Sequence, residues 1–220
     1  SATGDFTGTT WSTSVQLQGA AYIFKRDSGA ETWTRHAKLT AHNRDVNDSF
    51  GSSVAINGDY VIVGAMGEAS STAVFNDINN YRAYAGAAYI FKKDSGAETW
   101  TQKAYLKASN IDTGDYFGGS VSINGDHVIV GAVYEASNSI NDPSNNDAAA
   151  AGAAYIFKKD SNAETWTHQK YLKATNIGNT DNFGSSVAIS ADYVIAGAYG
   201  EASNSINDPS NNDAAAAGAA

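Results

Sequence analysis

Short apolar runs alternate with polar loops along this chain, and the stretch from Gly86 to Ala151 shows the pattern in full. Gly86–Lys92 (GAAYIFK) gathers Tyr, Ile and Phe without a polar break, which predicts a strand buried on both faces. Asp94-Ser95-Gly96-Ala97 predicts a turn. Thr99–Ala108 (TWTQKAYLKA) predicts a second strand, rich in aromatic and β-branched residues. Asn110–Gly118 (NIDTGDYFG) reads as a polar loop that ends in Phe-Gly. Ser120–Ile123 alternates polar and apolar positions, so one face is expected to be buried. Asn124-Gly125-Asp126 is a hairpin signal, and His127–Val133 predicts another buried strand. Tyr134–Asp147 is a polar loop. Ala148–Ala151 has helix propensity but is too short for a helix, and it predicts a close-packed approach to the next strand. The unit is therefore four short strands with no helix.

This unit recurs. Gly-Ala-Ala-Tyr-Ile-Phe starts at Gly19, Gly86 and Gly152, and its first three letters return at Gly218, giving steps of 67, 66 and 66 residues. A fixed period of this size means one structural unit copied in tandem, each copy burying its apolar face on its neighbours. Four strands per period predicts an all-β fold of β-propeller-type blades, about three units of 66–67 residues. Glu135–Ala154 and Glu201–Ala220 are identical over 20 residues, which suits an array presenting one surface repeatedly.

Composition narrows the partners. A net charge of −9 argues against nucleic acid and against anionic membranes, and it permits cation binding. There is no cysteine, which excludes disulfides and thiolate chemistry. The longest apolar run, Ala148 to Phe157, has ten residues, where a membrane-spanning helix needs about 20. The four His share no position in the unit, and no Ser-His-Asp set, phosphate loop or zinc motif is present. An enzyme is not expected.

Three recurring features are candidates for chemistry. The loop before Phe-Gly carries Asp45, Asn47 and Asp48, then Asp112 and Asp115, then Asn179 and Asp181. Calcium takes six to eight oxygens, and these loops could offer two or three side-chain oxygens each. The alternative is that Asp and Asn bond their own backbone in a tight turn. The second feature is Glu68, Glu135 and Glu201 after the Val-Ile strand, which could be ligands or tethers but more often would be solvated loop carboxylates. The third is the recurring Trp and Tyr, expected to pack between neighbouring units rather than to stack on sugars. Asn47-Asp48-Ser49 is an N-glycosylation sequon.

Phe50-Gly51 with Gly64-Ala65, Phe117-Gly118 with Gly131-Ala132, and Phe183-Gly184 with Gly197-Ala198 resemble the FG-GAP repeat of the integrin α-subunit propeller. The likeness is closer to bacterial and environmental FG-GAP proteins, in which a Tyr-X-Phe strand (Tyr22/Phe24, Tyr89/Phe91, Tyr155/Phe157) and a Trp strand (Trp33, Trp100, Trp166) follow. The resemblance covers Gly19 to Ala220 and implies a propeller on an extracellular or cell-surface protein that binds or adheres. Two departures stand out. The Gly-Ala pair lacks the family's Pro. The calcium loop between the inner strands is reduced to Asn57-Gly58-Asp59, Asn124-Gly125-Asp126 and Ser190-Ala191-Asp192, so the integrin site is not carried over.

In such propellers the blade begins at Phe-Gly. The expected organisation is then an N-terminal segment (residues 1–18) able to act as an extra or donor strand, a half-blade of outer strands (19–49), two blades (50–116 and 117–182) and a half-blade of inner strands (183–220). A ring needs at least four blades. The chain is therefore expected to be part of a longer polypeptide, to pair with itself, or to join head to tail into a filament. The leading expectation is a non-enzymatic, extracellular, structural or adhesive protein. The alternative is a calcium-dependent propeller that binds carbohydrate or an extracellular protein as part of a longer surface protein.

Overall fold

A computed structural model describes residues 18–74 and 79–203. Those residues form twelve strands and no helix. The first two, β1 (Ala21–Arg26) and β2 (Trp33–Leu39), make a two-stranded sheet. β3 (Phe50–Asn57), β4 (Tyr60–Ala65), β5 (Ala87–Lys93) and β6 (Trp100–Leu106) make a four-stranded antiparallel meander. β7 (Phe117–Asn124), β8 (His127–Ala132), β9 (Ala153–Lys159) and β10 (Trp166–Leu172) repeat it, and β11 (Phe183–Ser190) with β12 (Tyr193–Ala198) begin it again. The order is that of propeller-type blades, with a two-stranded sheet at either end of the described residues. The donor-strand expectation for the N-terminal segment falls on residues 1–17, outside the described residues, as does most of the 201–220 loop.

The register explains the motif letters. In each hairpin the pairing runs from Phe to Ala and then skips two residues: Phe50 faces Ala65 and Ser53 faces Gly64, and Phe117 and Ser120 do the same with Ala132 and Gly131. The skipped Gly51, Gly118 and Gly184 adopt φ of 95°, 87° and 82°, a left-handed conformation that glycine takes without steric cost. The second glycine serves a different need. A Cβ on Gly64 would overlap the Gly118 carbonyl oxygen of the next sheet, and one on Gly131 would overlap that of Gly184. Ser53 and Ser120 donate to the same two carbonyls at 2.7 Å. Phe-Gly and Gly-Ala are thus two sides of one contact between consecutive sheets. Parallel bridges from Gly19 to Phe50, Gly86 to Phe117 and Gly152 to Phe183 lock the same junction.

The core lies between the sheets. One cluster joins Ile62, Ile90 and Leu106 of the first full sheet to Phe117, Val121 and Ile123 of the second. Another joins Val61, Val63 and Tyr89 on the opposite face to Ala21 and Leu39 of the half-sheet. β4 and β8, covered on both faces, are buried almost throughout, as their unbroken apolar sequence predicts. Phe117 packs edge-on against Tyr155 and Phe157, and Phe50 lies between Tyr89, to which it is tilted, and Phe91, which it meets edge-on.

Several expectations are adjusted. The Phe-Gly pairs open β3, β7 and β11 instead of closing the preceding loop, and Ser120–Ile123 extends to Phe117–Asn124. Trp100 and Trp166 pack between units, Trp166 edge-on to Tyr60 at 6.2 Å. Trp33 instead stands 66% exposed, because the sheet it would lean on has no counterpart among the described residues.

Candidate functional site

The recurring acids meet at one end of each sheet. The loop before β3 folds back on itself through its own carboxylates. The Asp45 N–H donates to Asp48 Oδ2 at 2.6 Å, and the Val46 N–H to Asp45 Oδ1 at 2.7 Å. The next loop repeats this, with the Asp112 N–H donating to Asp115 Oδ2 at 3.2 Å and the Thr113 N–H to Asp112 Oδ1 at 2.7 Å. In the third, the Gly178 N–H donates to Asp181 Oδ2 at 2.7 Å. Asp45 also accepts from Asn80, and Asp112 from Asn146 and Arg82. Asn47 and Asn179 are exposed at the loop tips, where their carbonyls accept from Ser49 and Thr180. Asn47 sits at φ 71°.

Beside each turn lies a buried polar node. Lys107, the residue after β6, donates to Glu68 Oε2 at 2.7 Å, with side-chain exposures of 0% and 3%. Glu68 Oε1 accepts from Asn43 Nδ2 at 3.3 Å, and Asn43 Oδ1 accepts from the Tyr89 hydroxyl at 3.0 Å. The second sheet repeats the set. Lys173 donates to Glu135 Oε2 at 2.8 Å, Asn110 to Glu135 Oε1 at 2.9 Å, and Tyr155 to Asn110 Oδ1 at 2.7 Å. Asn110 also donates to the Pro143 carbonyl at 2.7 Å, which fastens the long loop to the node. At the third position Asn176 donates to Glu201 at 2.6 Å, and the Ser203 N–H adds 2.8 Å. No lysine reaches Glu201 among the described residues.

The glutamates are therefore not the solvated loop carboxylates their positions suggested. All three are buried, and Glu68 and Glu135 are the acidic ends of ion pairs. Buried acids crowd around each lysine, and the charges respond. Burial pushes the Asp48 carboxyl up to about 7, aided by the Glu68 carboxylate and opposed by the Asp45 N–H. Asp115 is pushed to about 7 by burial and by Glu135 and Asp112. Asp181 is raised by burial. Burial pulls Lys107 and Lys173 down, and their glutamates pull them back up. Asp112 feels burial upward, yet bonds from Asn146, Thr113 and Arg82 outweigh it and its carboxyl is lowered.

What this arrangement does chemically is tie strands together. Each of the first two nodes joins the loop before the first strand, the loop after the second, the third strand through Tyr, and the fourth through Lys. The carboxylates of the sequence-predicted calcium loops bond the loops' own backbone and neighbouring side chains. Among the described residues, no three His, Cys, Asp or Glu side chains gather where they could hold a metal ion. Sequence reading singled out the glutamates but not Lys107 and Lys173. The available signal was their recurrence in Tyr-Leu-Lys-Ala, a charge at the end of an otherwise apolar strand.

The family profile described as FG-GAP repeat matches residues 33–91, 100–157 and 166–217. No curated protein is significantly similar to the chain. The first two matched stretches take the Trp strand from one sheet and the Phe-Gly, Gly-Ala and Tyr-X-Phe strands from the next, and the third takes its Trp strand from the second full sheet and its Phe-Gly and Gly-Ala strands from β11 and β12. With its three consecutive matches, its tandem four-stranded sheets and the Gly-on-Phe-Gly contact between them, the chain belongs to the FG-GAP repeat family and is a β-propeller-like repeat protein.

Proposed function

We propose that this is a non-enzymatic structural or adhesive protein of the cell exterior that works by adding unit to unit, each half-sheet being completed by strands from a further unit. The observation that carries this reading is the pair of sheet edges without a neighbouring strand among the described residues. On β12, Val194 and Ile195 are 39% and 55% exposed, whereas Val61, Ile62, Val128 and Ile129 at the matching places of β4 and β8 are buried. On β1, Tyr22 and Phe24 are 50% and 54% exposed, whereas Tyr89, Phe91, Tyr155 and Phe157 are buried. Beside β1 runs an apolar groove of about 480 Å³ lined by Tyr22, Phe24, Val54, Ile56 and Val61, where the inner strands of a complete blade would stand. Exposed apolar edges of this kind are sites of strand addition. An exterior location is the usual setting of FG-GAP repeats and supports the adhesive role.

The test is light scattering and negative-stain microscopy on the chain itself and on the chain carrying one further internal unit. Mass that rises with concentration, with rings or filaments on the grid, is expected for at least one of them. Monodisperse monomers for both, at every soluble concentration, overturn the reading.

A further inference from the structure

The third node is half built. Glu201 is 5% exposed and held by Asn176 and the Ser203 N–H, as Glu68 is held by Asn43 and Glu135 by Asn110. In both complete nodes the third strand of the sheet adds a tyrosine hydroxyl to the asparagine, and the fourth adds a lysine to the glutamate. Neither strand is present beside β12 among the described residues. Resting on the unit-addition reading above, the geometry points to the occupant of this edge: a β-hairpin of the internal repeat type, carrying Tyr-Ile-Phe-Lys on its first strand and ending its second in Tyr-Leu-Lys, whose lysine closes on Glu201. We infer that this lysine is the feature the edge selects for.

The pairing follows from the two finished sheets. Val61 faces Phe91, Ile62 faces Ile90 and Val63 faces Tyr89, and Val128, Ile129 and Val130 face Phe157, Ile156 and Tyr155. In the same register Val194 takes the incoming Phe, Ile195 the Ile and Ala196 the Tyr, which delivers the hydroxyl to Asn176. The connection has the required length, since Glu201–Ala220 repeats Glu135–Ala154 residue for residue. The chain's own β1–β2 hairpin fits this edge less well. It presents Tyr22 in the right place, but where Tyr-Leu-Lys ends in Lys107 and Lys173 it has Lys38-Leu39-Thr40. A threonine there leaves a buried carboxylate without its cation, a costly arrangement. A second copy docking through β1–β2 is thus disfavoured against a further internal-type unit.

The experiment extends the full chain after Ala220 by a copy of residues 155–174, or by the same segment with the lysine corresponding to Lys173 replaced by Thr, each with and without Glu201→Gln. Thermal melting is the readout. Both extensions are expected to raise the midpoint, the lysine form by about 5 °C or more beyond the threonine form. Glu201→Gln is expected to remove that difference. Equal midpoints for the two extensions, or a difference that survives Glu201→Gln, overturn the lysine inference while leaving unit addition standing. If neither extension raises the midpoint, unit addition at this edge fails with it. In the unextended chain, Thr40→Lys is expected to strengthen head-to-tail association measured by light scattering, again only with Glu201 intact. Association unchanged by Thr40→Lys counts against the inference.

Discussion

Replacing Lys107 by Met removes the cation of one node and leaves its acids in place. The Lys107–Glu68 pair is 2.7 Å long with side-chain exposures of 0% and 3%, so water cannot take over from the lost ammonium. Two buried ions and their attraction roughly cancel, so the pair itself adds little net stability. Breaking it is another matter, because Glu68 is left buried without its cation, and Asp48 lies close enough to feel the Glu68 carboxylate. Removal of one partner from such a pair costs about 3–5 kcal/mol. For a chain of this size each kcal/mol lowers the melting midpoint by about 2–4 °C, so Lys107→Met is expected to lower it by about 6–20 °C. The double variant Lys107→Met/Glu68→Leu should recover most of the loss, short of the hydrogen bond from Asn43. The assay is circular-dichroism melting at neutral pH, with Lys25→Met as control. Lys25 pairs with Glu98 at 3.0 Å, but with side chains 57% and 51% exposed, and its loss should leave the midpoint unchanged. A Lys107→Met midpoint equal to that of the control, or a double variant worse than the single, would refute the node as a buried charge clamp.

Stability should also depend on pH in the sense opposite to an ordinary salt-bridged acid. Asp48 and Asp115 lose their protons near 3.8 when unfolded and near 7 when folded, so the folded chain holds more protons between those values. Stability therefore falls as pH rises through that window, by up to about 4 kcal/mol per site, and Asp48→Asn should flatten the melting-midpoint profile between roughly pH 4 and pH 7. Gly64→Ala should unfold the first sheet junction or cost several degrees in a thermal scan, because its methyl meets the Gly118 carbonyl, while Gly96→Ala, with open space around it, should be neutral. Ala191 holds φ 47° at the turn where Gly58 and Gly125 stand in the other units, so Ala191→Gly should stabilise by about 1 kcal/mol in denaturant unfolding. Calcium addition should leave the midpoint unmoved if the Asp45, Asp112 and Asp181 loops are self-bonded turns, whereas a rise abolished by Asp115→Ala would mark a cation site.

Much of the fold was legible because its strongest determinants are local and repeated. GAAYIFK reads as a strand buried on both faces, and β5 and β9 are that strand. Asn-Gly-Asp reads as a hairpin, and Asn57 faces Tyr60 across it. The node was not legible. Lys107 and Glu68 lie 39 residues apart, just after the last strand and in the loop after the second, and only the sheet's closure brings them together. A lysine in an amphipathic strand ordinarily points to solvent. Nothing local says that Tyr105-Leu106-Lys107 turns its charge inward, and only the periodic glutamates hinted at a partner. The loop acids could be read either as ligands or as turn formers, because the same oxygens serve both.

The repeat and the sheet are out of step. A repeat counted from its Trp strand runs through Tyr-X-Phe, so every complete sheet is stitched from two consecutive repeats. This offset has a genetic consequence. Inserting or deleting one whole repeat anywhere in the array leaves each remaining sheet with its usual strands, and no sheet has to be rebuilt. The identical stretches Glu135–Ala154 and Glu201–Ala220 offer matching sequence for such unequal exchange. Arrays of this kind can therefore change length in single steps, and where the repeat gained or lost is one that carries Tyr-Leu-Lys, the junctions, glycine contacts and charge nodes are inherited intact.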